Sequence, residues 1–190
     1  MGEPIRKTHF SYAQYLAMTE LDNDKYEYYR GEIYAMAGGT ANHSMVSGNT
    51  LAELRSKIKE KGCIVFTNDL LIRVETNDAA FYPDVSAVCG EPEFDPHNPN
   101  AIVNPIVIAE VLSPSTESWD RNRKRLAYQQ LDSLKEFLLI SQKEPEVERH
   151  TRLQGNEWTY ATFSDLQGHV TLPNLNVKLS MAEIYFGTKF

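Results

Sequence analysis

The chain has 190 residues, 42% of them hydrophobic, with two cysteines and a formal net charge of −7. That is enough apolar material for one sizeable core, without a composition shift that would divide it, so a single domain over residues 1–190 is expected. No run approaches the roughly 18 apolar residues of a membrane span, and Met1–Phe10 lacks the apolar centre of a secretory signal, which points to a cytoplasmic protein with no membrane partner.

In chain order, Phe10, Tyr12, Tyr15, Leu16 and Met18 fall at helical spacing, predicting a short amphipathic helix over 8–19 with Thr8 or Ser11 as its cap. Tyr26 to Tyr29 and Ile33 to Ala37 flank Arg30-Gly31-Glu32 as a hairpin, which Gly38-Gly39 ends. Thr40 or Asn42 can cap a longer helix to about Lys61, carrying the stripe Met45, Val46, Leu51, Leu54 and Ile58 and stopped by Gly62. Ile64 to Phe66, Asp69 to Glu75 and Tyr82 to Val88 are strand-like, with Asn/Asp turns between them, and a Pro-, Asn- and Asp-rich loop runs from Gly90 to Pro105.

Ile106 to Leu112 is almost wholly apolar, as in a central strand covered on both faces, and a helix from about Ser118 to Leu131 follows it. Phe137 to Ser141 is the next strand. The remainder reads as β-hairpins over 146–179 with a short helix near Met181–Tyr185. Cys63 and Cys89 sit singly in apolar segments without Cys or His at ligand spacing; they argue against zinc and read as reduced core residues.

Glu110 is the most informative residue, because its neighbours Ile108, Ala109, Val111 and Leu112 leave no polar face for a carboxylate. Its burial must be offset by a buried Arg or Lys, by protonation, or by a bound cation. Asp84, in Tyr82-Pro83-Asp84-Val85, places a second carboxylate in a strand-like segment, where both Asp and Pro are disfavoured. If the two strands are neighbours, Asp84 and Glu110 together supply the one or two carboxylates that usually hold Mg²⁺ beside phosphate oxygens.

Asp120, Lys124 and Tyr128 follow at four-residue steps on one face of the next helix. Taken alone they read as a surface ion pair and a packed ring. Arg121, Arg123, Lys124 and Arg125 crowd the first turns of that helix, where the dipole disfavours cations, which points to an anionic partner such as a polynucleotide. The net negative charge requires any such contact to be a local patch.

Together these stretches resemble the Uma-two family of restriction endonucleases, in the PD-(D/E)XK nuclease-like superfamily. The matching pieces are Tyr26-Glu27 with Gly31-Glu32, His43, Tyr82-Pro83-Asp84-Val85, Glu110-Val111-Leu112-Ser113-Pro114-Ser115-Thr116, and Asp120, Lys124 and Tyr128. The resemblance implies an α/β fold with a mixed central sheet flanked by helices and additional β-hairpins. It also implies hydrolysis of phosphodiester bonds, in DNA in preference to RNA, with Mg²⁺ or Mn²⁺ held by Asp84 and Glu110.

Lys124 then takes the catalytic role of the lysine that the superfamily places two residues after the glutamate, a position filled here by Leu112. Glu27, His43, Asp120 and Tyr128 are implied as supporting residues, with Arg121, Arg123 and Arg125 toward nucleic acid. Glu32 is expected to be merely exposed, and Ser113 to end its strand. A homodimer is expected, since enzymes that cut two strands often pair two sites through two-fold symmetry. The alternative is a non-catalytic module that keeps the fold to bind nucleic acid or a protein.

Overall fold

The computed structural model describes residues 9–21, 24–36 and 38–190, which leaves the expected cap Thr8 and hairpin end Ala37 outside the described residues. Helix α1 (Tyr12–Leu21) starts at Ser11. Ser11 Oγ accepts from Gln14 N at 3.2 Å while Ser11 N donates to Gln14 Oε1 at 3.0 Å, a reciprocal capping box. Strands β1 (Tyr26–Tyr29) and β2 (Glu32–Ala35) form the expected hairpin, turning through Arg30 and Gly31, both at positive φ, as a two-residue turn that follows the strand twist requires. Thr40 caps helix α2 (Ala41–Ile58), whose Val46, Leu54 and Ile58 are buried. Gly62, left-handed at φ 72°, stops its last 3₁₀ turn.

The strands that follow are β3 (Cys63–Thr67), β4 (Leu71–Val74), β5 (Ala79–Phe81), β6 (Val85–Cys89), β7 (Phe94–Asp95), β8 (Asn98–Ile102) and β9 (Val107–Leu112). Helix α3, residues 117–128, leads to β10 (Glu136–Ser141), β11 (Val147–Arg152), β12 (Trp158–Phe163), β13 (His169–Leu172), β14 (Val177–Ser180) and a final turn of helix, Met181–Ile184. One sheet runs β2-β1-β5-β4-β8-β7, a second β12-β11-β10-β9-β6-β3, and β13-β14 is a separate hairpin. The second sheet is mixed: β9 pairs with β10 in parallel through the α3 crossover, and with β6 antiparallel.

The apolar run of β9 is explained by what covers it. Ala109 and Val111 join Val46, Leu54 and Ile58 of α2 in one core cluster, whereas Ile108 and Leu112 join Phe81, Tyr128 and Phe137 in another. Glu110, two residues from each of the latter pair, shares their face by the two-residue period of a strand.

Four expectations are corrected. Tyr82 to Val88 is not one strand: β5 ends at Phe81 in the first sheet and β6 starts at Val85 in the second, because Pro83 has no amide to donate to a ladder. Asp84 therefore lies at the crossing between sheets and not inside a strand. The 90–105 loop contains β7 and β8. Helix α3 is not uniformly α: Glu117–Trp119 is α, Asp120–Lys124 is π, and Arg125–Tyr128 is α again. Finally, Cys63 and Cys89 are not reduced; directly opposite each other on β3 and β6, they form a disulfide that clips this edge strand to its neighbour.

Candidate active site

Glu110 is 3% exposed and Lys124 5%, and the two meet at 3.2 Å between Glu110 Oε1 and Lys124 Nζ. The ammonium also lies 2.7 Å from Glu27 Oε1 and 3.7 Å from Asp120 Oδ1. Three elements thus aim carboxylates at one cation: distant β1 supplies Glu27, β9 supplies Glu110, and the next helix, α3, supplies both Asp120 and the lysine. Tyr128, one turn on, donates its hydroxyl to Glu110 Oε1 at 3.1 Å. The π turn over Asp120–Lys124 lies within this cluster, a wide turn of a kind found frequently at functional sites.

Asp84 lies beside the cluster. Val85 faces Ala109 in the β6–β9 ladder, so extending that antiparallel register by one residue sets Asp84 against Glu110. Asp84 Oδ2 accepts from Val111 N at 2.7 Å, and His43 Nε2 stands 3.3 Å from the same oxygen. The imidazole lies tight against the backbone of Gly39, where a Cβ would fall 2.8 Å from His43 Nδ1. Asp84, Glu110, Glu27, Asp120, Lys124 and His43 all line one cleft of about 870 Å³, walled by the start of α2 and by the 113–116 loop.

Electrostatics of the cluster are those of a site short of positive charge. Burial holds the Glu110 carboxyl well above the usual carboxylate range, against the pull of Lys124, with Asp120, Asp84 and Glu27 adding repulsion. Burial likewise raises Glu27 and Asp120. Burial works against the Lys124 ammonium, yet Glu110, Glu27 and Asp120 outweigh it and hold its pKa well above that of a free lysine. The hydrogen bond with Asp84, opposed by burial, raises His43. Three buried carboxyls, Glu27, Glu110 and Asp120, thus face one ammonium, and Asp84 faces His43.

These residues fit a hard divalent cation. The acidic donors are all carboxylate oxygens, and buried Asp120 Oδ1 accepts no hydrogen bond. Among the described residues no group of three or more His, Cys, Asp or Glu side chains is placed to hold a metal ion, so the ion would rest on the pair Asp84 and Glu110 with water. Mg²⁺ suits such a site, because it keeps several waters and is bound through one or two carboxylates.

A family model described as "Putative restriction endonuclease", Uma2, matches residues 12–182. The chain belongs to the Uma2 family. Two proteins of Synechocystis sp. (strain ATCC 27184 / PCC 6803 / Kazusa) are similar to this Uma2 chain over nearly its whole length. Uncharacterized protein sll1609 is 34% identical over 172 residues, 90% of this chain and 93% of that protein. Uncharacterized protein slr1290 is 30% identical over 177 residues, 93% of this chain and 92% of that protein. The fold is similar to the crystal structure of "a putative nuclease belonging to DUF820" from Anabaena variabilis ATCC 29413. That likeness has a TM-score of 0.75 at 18% identity and covers 93% of this chain and 97% of that one.

The Uma2 chain brings together Asp84, Glu110, Lys124, Glu27, His43, Asp120 and Tyr128, and leaves the three arginines outside the cleft. Arg121 is bound by Glu117 and Glu148, each at 2.9 Å. Arg125 donates to Arg121 O and to Gln129 Oε1. Exposed Arg123 lies over the rings of Trp119 and Tyr29. Glu32, exposed, accepts from Tyr34, and Ser113 ends β9 with its hydroxyl shared with Ser115 and Thr116.

Three supporting contacts were not legible in the sequence. The Tyr82 amide donates to Glu27 Oε1 at 3.1 Å. Gln142 donates to Leu112 O at 2.8 Å and accepts from Thr40, tying the start of α2 to the end of β9. Gly39 was legible only as the end of the hairpin.

Proposed function

We propose that this Uma2 chain is a Mg²⁺- or Mn²⁺-dependent nuclease that hydrolyses phosphodiester bonds, in DNA in preference to RNA. The observation that carries the reading is the convergence of Glu27, Glu110 and Asp120 on Lys124, beside Asp84, inside one cleft. Asp84 and Glu110 are the residues that would hold the ion. When bound, such an ion supplies Lewis-acid polarisation of the phosphodiester and activation of water at neutral pH.

The chain's own residues do the rest. Val111 N and His43 fix the direction of Asp84, and Tyr128 with Lys124 fix that of Glu110. Lys124, kept charged by its three carboxylates, stabilises negative charge developing on the phosphoryl oxygens. Glu27 and Asp120 hold the ammonium in place, as partners behind a reacting group do. Outside the cleft, phosphate contact falls to Arg123, since Arg121 and Arg125 are occupied within the chain.

Labelled DNA and RNA oligonucleotides incubated with purified protein test this reading. Cleavage should require Mg²⁺ or Mn²⁺, stop with chelator, and fall at least about 100-fold in Asp84→Ala and Glu110→Ala. Equal cleavage by those variants rules the site out. The close self-pairing of Lys124 favours a second reading, a binding module whose ion network is purely structural; it gains support if no metal-dependent cleavage is found.

A further inference from the structure

We infer that the substrate enters the cleft as an unpaired nucleotide strand and not as a double helix; this rests on the nuclease reading above and names its substrate class. A reacting phosphate must reach Glu110, Asp120 and Lys124, which are 2–5% exposed and lie below a rim made by α2 and the 113–116 loop. The cleft, about 870 Å³, is in the size range of small-molecule sites, about 300–1,000 Å³. A space of that size holds at most a few nucleotides of one strand.

The wall chemistry agrees. A protein that grips a duplex does so through many Lys and Arg contacts to phosphate. Besides buried Lys124 and half-buried His43, the one basic residue lining this cleft, among the described residues, is Lys25, which is bound to Asp69. Other donors are hydroxyls, from Ser44 and Ser47 on α2 and from Ser113, Ser115 and Thr116 opposite. Tyr82 also lines the cleft, its ring partly buried against the cluster of Tyr15 and Tyr28 with the Lys25 ammonium 5.6 Å from the ring centroid.

Gly48 is the decisive residue. It lies in the interior of the 18-residue helix α2, where glycine costs about 0.8–1.0 kcal/mol relative to alanine. A Cβ added there would meet nothing within 4 Å, so neither packing nor backbone conformation explains it. Its bare backbone lines the cleft, where the missing side chain leaves room for a ligand to approach closely.

The test is fluorescence anisotropy of wild type, Gly48→Ala and Gly48→Leu with one labelled sequence, offered as a single strand and as a blunt duplex, in Ca²⁺. The expected result is single-strand binding at least about tenfold tighter than duplex binding, with a shallow log K against log salt slope of roughly −1 for one or two phosphate contacts. Gly48→Leu should weaken single-strand binding at least about tenfold, and Gly48→Ala less, while both melt at or above the wild-type temperature. Duplex binding as tight as single-strand binding, no binding of either, or unchanged binding by Gly48→Leu overturns the inference. Strand cleavage is scored separately in Mg²⁺, so a strand that is bound but never cut supports this inference and counts against the nuclease reading alone.

Discussion

Replacing Lys124 by Met keeps most of the side chain's length and removes the one ammonium held within 4 Å of three buried carboxylates, at 2.7, 3.2 and 3.7 Å. Deleting one partner of a buried ion pair costs about 3–5 kcal/mol, because the other partner is left desolvated without a counter-charge. For a chain of this size each kcal/mol moves Tm by about 2–4 °C, so Lys124→Met should melt roughly 6–20 °C below wild type.

The pH dependence has a definite sign. Glu27, Glu110 and Asp120 already have folded-state pKa values raised by burial, and loss of Lys124 raises them further. A group whose folded pKa exceeds its unfolded value contributes its full stability below the unfolded value and loses it as pH rises through the folded one. The deficit of Lys124→Met is therefore greatest at neutral pH and shrinks toward about pH 4, where the carboxyls are largely protonated in both states. Urea unfolding of both proteins at about pH 7.5 and about pH 4.5 measures it. A loss under about 1 kcal/mol at the higher pH, or one that does not change with pH, refutes the assignment of Lys124 as the buried counter-charge.

Two further predictions concern the frame of the site. Tyr128→Phe deletes the hydroxyl that donates to Glu110 at 3.1 Å; it should cost about 1–3 kcal/mol in urea unfolding, and an unchanged midpoint would contradict that bond. Unreduced protein, denatured and treated with a thiol reagent, should show no free cysteine. Reduction should lower stability by about 3–4 kcal/mol for a loop of 26 residues, and two reactive thiols before reduction would contradict the pairing.

The chemistry of the site was more legible in the sequence than its geometry. Glu110 declared itself because a carboxylate inside an apolar strand requires a partner, and that partner is the lysine at the next helix's four-residue spacing. Asp84 was found for a reason that proved partly different: its Pro-Asp pair marks a crossing between two sheets and not a strand interior. What stayed hidden depends on contacts between distant segments. The Cys63–Cys89 disulfide depends on the register of β3 against β6, the π turn at Asp120–Lys124 on packing that overrides local helix preference, and Gln142 on where α2 begins relative to the end of β9. The arginine cluster was visible as charge, but the acidic partner Glu148 lies on a distant strand, β11, and pairing with it occupies the Arg121 guanidinium.

Crystals soaked in Mn²⁺ and measured for anomalous scattering test most directly whether Asp84 and Glu110 form a metal site. A peak bounded by the two carboxylates is expected, with Lys124 still facing the cleft, and it should be lost in Asp84→Asn. A peak elsewhere, or none at saturating Mn²⁺, would contradict that assignment.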